Sequence, residues 1–115
     1  MAKRSYPRPT HEQFMTYCRD FFDRAIKVLD EKGQDYQEDG KAFGDIFRIA
    51  SEMDLPPSKV LYVHASKHLQ AIRRYVKDGQ LVGESCQSRL HDAANYMAMI
   101  SMIYWLQENS PDDEQ

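Results

Sequence analysis

The chain has 115 residues, 42% hydrophobic and 29% charged, with a formal net charge of −3, which bounds it to one globular domain with a modest core and makes self-association an expectation. That acidic balance argues against a non-specific nucleic-acid binder, which carries a basic surplus. The longest apolar stretch, Ala93 to Leu106, is broken by Asn95 and Ser101 and falls short of the roughly 20 residues of a membrane span. Met1-Ala2-Lys3-Arg4 leads into prolines rather than an apolar run, so a soluble cytoplasmic protein is expected, with Cys18 and Cys86 as reduced core residues.

Residues 1–9, basic and carrying Pro7 and Pro9, and the acidic residues 110–115 read as flexible tails around one helical domain over 10–109. The first helix should begin at Thr10, where Thr10-His11-Glu12-Gln13 fits a capping box. Phe14, Tyr17, Cys18, Phe21, Ala25, Val28 and Leu29 then form one apolar stripe, and Gly33 is a plausible stop. A polar loop carrying Tyr36 follows. The second helix is expected from near Lys41 to Met53, with Ala42, Phe43, Ile46, Phe47, Ile49 and Ala50 facing inward. Pro56 and Pro57 break it and open the third helix, because proline suits a first turn. That helix carries Leu61, Ala65, Leu69, Ile72 and Val76 as its stripe, runs to about Lys77 and ends at Gly79.

The fourth helix is expected from near Gly83 or Glu84 to about Gln107. Its second half, Met97 to Leu106, is apolar nearly all round, so it should be buried on more than one side. In a domain this small the extra burial points to a second subunit, giving a dimer or a dimer of dimers through helix four. No segment alternates with period two. The expected fold is all-α, an antiparallel four-helix bundle-like domain.

Several constellations could carry chemistry. His64 and His68, four apart, face the same way; they suit either a shared metal ion or one interface and one surface position. Lys67, Arg73, Arg74 and Lys77 with His68 form a basic run, either a solvated face or a phosphate clamp. Asp35, Asp45, Glu84 and Asp92 are the acids available to hold Mg²⁺ on the same phosphates. Tyr36 is either a packing aromatic or a plate on which a base stacks. Asp92, Asn95 and Tyr96 share one face of the fourth helix. A carboxylate and an amide there need a partner, and at least one of them should meet an internal polar pocket lined by the third helix. A structural partner for Asp92 would be Lys67 or Arg89. Phosphate-binding glycine loops and nucleophile elbows are absent from the sequence.

Lys32-Gly33-Gln34-Asp35-Tyr36, Lys67-His68, a basic residue at Arg73 or Arg74, Glu84-Ser85 and Asp92-Ala93-Ala94-Asn95-Tyr96 together resemble, in order and spacing, a group of small phage helical proteins associated with nucleotide modification. The resemblance covers about residues 30 to 106. That group looks like a distant relative of the all-α nucleotide pyrophosphohydrolases of the MazG and dimeric dUTPase type, helical bundles that pair into dimers or tetramers and cleave nucleoside triphosphates with Mg²⁺. The resemblance implies Asp92 and Asn95 as catalytic residues and Glu84 and Asp92 as metal ligands. It implies Asp35, Tyr36, Lys67, His68, Arg73 and Tyr96 as substrate-binding residues. The chain departs from the enzymes where they carry Glu-x-x-Asp, having Asp92-x-x-Asn95, and it has no Glu-x-x-Glu. Fewer carboxylates mean weaker metal binding and a poorer general base.

Three functional readings follow. The chain is a Mg²⁺-dependent phage nucleotide-metabolism enzyme acting on a nucleoside phosphate. Or it is a non-catalytic protein that sequesters a nucleotide or nucleotide-derived signal in the host cytoplasm. Or it is a helical module that binds a host protein.

Overall fold

Thr10 and Gln13 cap each other at the start of the chain's first helix. The Gln13 backbone N–H donates to Thr10 Oγ1 at 3.0 Å, and the Thr10 N–H donates to Gln13 Oε1 at 2.8 Å, so two otherwise unpaired helix-end donors are satisfied reciprocally. Thr10→Ala should therefore lower stability by about 0.5–1 kcal/mol, read as a lower urea midpoint at unchanged slope.

The computed structural model describes residues 6–35, 37, 40–79 and 85–109, with Gln34 and Asp35 described by backbone alone. They form four helices, α1 (His11–Asp35), α2 (Gly44–Met53), α3 (Pro57–Asp78) and α4 (Cys86–Asn109), and no strand lies among the described residues. The expected all-helical fold is observed. The ends differ from the sequence reading where local chemistry decides them. Gly33 does not stop α1, because a glycine ends a helix by turning left-handed and, among the described residues, the glycines with positive φ are Gly40 and Gly79. Gly79, at φ 76°, does close α3, its N–H donating to the Tyr75 carbonyl. Phe43 takes φ 63°, so the chain becomes helical only at Gly44 rather than near Lys41. Ser85 caps α4, its Oγ accepting from the Ser88 N–H at 3.1 Å; the expected start at Gly83 or Glu84 lies outside the described residues.

The helices α3 and α4 run antiparallel. His68 meets Asp92, His64 meets Tyr96, and Ser58 and Lys59 share a groove with Ile100 and Tyr104. The contact of α1 with α4 is different. Phe21 meets His91, Ala25 meets Asn95 and Lys32 meets Asp92. At about 1.5 Å per residue, roughly 16 Å of α1 thus meets only about 6 Å of α4. The helix α1 crosses α4 instead of lying along it, and α2 packs on α3.

Alanines hold these junctions. Ala25, Ala50, Ala65 and Ala93 are buried together with Val60, Leu61 and Ile103, and small side chains let helix axes approach closely. The outcome is an elongated chain of 60 × 31 × 25 Å, with a Cα radius of gyration of 17.7 Å, where about 13 Å is typical of a compact domain this long. Among the described residues no helix is long and apolar enough to cross a membrane.

Candidate functional site

The polar cluster at the α1–α3–α4 junction follows from the phase of α4. At about 100° per residue, Asn95 lies about 60° to one side of Asp92, and Tyr96 and Arg89 lie about 40° and 60° to the other. Asn95 faces α1, where its Nδ2 donates to the Ala25 carbonyl at 2.9 Å. Tyr96 and Arg89 face α3: the Tyr96 ring stacks on His68 with centroids 5.4 Å apart, and Arg89 Nη1 lies 3.1 Å from His68 Nδ1. Asp92, in the middle, touches both helices. Its Oδ1 is 3.4 Å from Lys32 Nζ on α1, and its Oδ2 is 3.7 Å from His68 Nδ1 on α3.

The hydrogen-bond roles are set by chemistry. A guanidinium only donates, so the Arg89 contact is a hydrogen bond in the tautomer whose Nδ1 accepts and whose ring proton sits on Nε2. The 3.7 Å approach of Nδ1 to Asp92 is then a contact, too long for a hydrogen bond. Lys32 is the cation that pairs with the Asp92 carboxylate. Asp92, Asn95 and His68 are all buried, whereas the Lys32 side chain is 61% exposed. The junction therefore opens to solvent at Lys32. His64 extends the ring stack, parallel to Tyr96 with centroids 6.3 Å apart.

Of the residues singled out in the sequence, Asp92, Asn95, His68 and Tyr96 come together. Asp92 and Asn95 are buried at the junction, and their partners are Lys32, His68 and the Ala25 carbonyl. Lys67 is not the partner of Asp92. Lys67 and Arg73 are exposed, and around α3 they lie about 100° and 140° from His68 in opposite directions, so the basic run wraps the helix and does not converge on His68. The Asp35 side chain, Tyr36 and Glu84 lie outside the described residues. Among the described residues, no three His, Cys, Asp or Glu side chains group closely enough to hold a metal ion. His64 and His68 do face the same way, but each ring lies against Tyr96.

The residue that the sequence reading left out of the site is Lys32. It falls seven residues after Ala25, almost in phase with the apolar stripe of α1. A charge on a core stripe is the signal that would have found it. Comparison of the chain with family models, with curated proteins and with solved structures gave no match.

Proposed function

We propose that this chain is a phage-type nucleotide-metabolism protein, related in fold to the all-α pyrophosphohydrolases, that binds a nucleoside phosphate or nucleotide-derived signal and holds it without cleaving it. The observation that carries the reading is the linkage of an exposed cation to a stack of rings across one buried carboxylate. Lys32 stands at the solvent edge of the junction, joined through Asp92 and His68 to the Tyr96 and His64 rings. An ammonium has three donors, so Lys32 can keep Asp92 and still donate to a phosphate, while the rings offer a plate for a base.

The absence of turnover in this reading rests on Asp92 and Asn95. Asp92 Oδ1 pairs with Lys32 and Asn95 Nδ2 donates to the Ala25 carbonyl, so both side chains tie α4 to α1, and we read them as structural rather than as metal ligands. Mg²⁺ would arrive on the ligand's phosphates, as it commonly does.

Thermal-shift titration with nucleoside mono-, di- and triphosphates, with and without Mg²⁺, tests the reading. Ligand at about 100 times its Kd should stabilise the fold by roughly 2.7 kcal/mol. Lys32→Ala should weaken affinity about tenfold, ~1.4 kcal/mol, for each phosphorylated ligand. His64→Ala should weaken phosphorylated and unphosphorylated nucleosides alike. No shift with any nucleotide would refute the proposal.

A further inference from the structure

We propose that the solvent face of α3 docks an acidic amphipathic helix of another protein. From Lys59 to Lys77 the sequence has five Lys or Arg and no Asp or Glu, within a chain whose net charge is −3. Lys59, Lys67, Arg73, Arg74 and Lys77 are all exposed, and among the described residues none of them is in an ion pair. At about 100° per residue they fall within an arc of roughly 120°, centred opposite the buried Leu61, Ala65 and His68. Tyr62, Leu69 and Val76 stand seven apart along the edge of this arc beside Arg73, and all three are exposed.

Folding does not account for this placement. Lys77 lies four residues after Arg73 and three after Arg74, like-charge spacings that destabilise a helix. Lys59 lies in the first turn of α3, where the helix dipole disfavours a cation. Only Lys77, in the last turn, suits the dipole. An occupant must answer both the cations and the apolar stripe. The stripe is one residue wide, the width of a helix–helix seam, whereas a helix lying on a membrane buries a broader apolar face. Duplex phosphates answer the cations and leave Tyr62, Leu69 and Val76 in water. A helix with apolar residues at three- and four-residue steps, flanked by Asp or Glu, answers both. Its apolar residues pack on the stripe, and its carboxylates meet Arg73 and Lys77 beside it. The Lys59–Lys77 span is about 27 Å long, so a partner helix of about 18 residues covers it. The inference does not depend on the nucleotide reading, which uses no residue of this face.

Panning a display library of helical peptides, randomised at every outward position, against the full chain tests it. The enriched peptides should be acidic and carry apolar residues at three- and four-residue steps. Their affinity, read by fluorescence anisotropy, should fall as salt rises. Arg73→Glu with Lys77→Glu should weaken an enriched peptide at least about tenfold, with circular dichroism unchanged. The same peptide with its acids replaced by Lys should bind that variant better than the parent. Val76→Asp should weaken binding without reversing the charge preference. Should a variant lose helicity, the composition of the peptides enriched on the parent chain still decides. No enrichment, enrichment without an acidic excess, or affinity that ignores the charge reversal would overturn the proposal. So would tighter binding of this face to mixed phosphatidylcholine and phosphatidylserine vesicles or to duplex DNA in the same buffer, or an oligomer that the charge reversal dissociates. Those outcomes would give the face to a membrane, a nucleic acid or a second copy.

Discussion

Asn95→Asp should be the most damaging conservative change in the molecule, lowering stability by about 3–5 kcal/mol. The substitution is nearly isosteric, yet it replaces the Nδ2 donor, 2.9 Å from the Ala25 carbonyl and buried, with a carboxylate oxygen. Two acceptors then face each other without water, and the carboxyl group must either bury a charge or take up a proton. At roughly 4–8 °C per kcal/mol for a domain near this size, the melting temperature should fall by well over 10 °C. The same change brings the sequence closer to the carboxylate pattern of the pyrophosphohydrolases. If Asn95 instead faced a metal site, the added carboxylate would strengthen Mg²⁺ binding and leave the fold nearly unchanged.

Asp92→Asn should have opposite effects on stability and on binding. The Lys32 pair weakens from an ion pair to a hydrogen bond between an ammonium and a neutral amide. The expected loss is about 1–2 kcal/mol, limited by the solvent around Lys32. Affinity for a nucleoside phosphate should rise about threefold to tenfold, because a negative charge next to the bound phosphate is gone. A Mg²⁺-dependent hydrolase using Asp92 as ligand predicts the reverse, with metal-dependent binding and turnover both lost. Calorimetric titration of the variant alongside the parent protein distinguishes the two.

Local chemistry made the helices and most of their ends legible. The Thr10–Gln13 cap is written in four consecutive residues, and Gly79 closes α3 as its position suggests. The crossing of α1 over α4 was not legible, because an apolar stripe fixes which face is buried and not the angle at which it meets its neighbour. The stripe from Phe14 to Leu29 reads as a continuous core, yet Phe14 and Tyr17 are exposed in the single chain. Within the site, Asp92, Asn95 and Tyr96 were found because their spacing puts them on one helical face. Lys32 lies 60 residues away in sequence, and only the tertiary crossing joins it to Asp92. The basic run on α3 was the opposite case: near in sequence, it is spread around the helix by its phase.

The central claim is that this junction holds a nucleoside phosphate intact. Phosphorus NMR of a nucleoside triphosphate mixed with the parent protein and Mg²⁺ tests it in one experiment. The account predicts shifted and broadened phosphate resonances that Lys32→Ala largely restores, with no new signals over hours. Growth of pyrophosphate and monophosphate resonances would contradict it by showing turnover, and unchanged sharp resonances would contradict it by showing no binding.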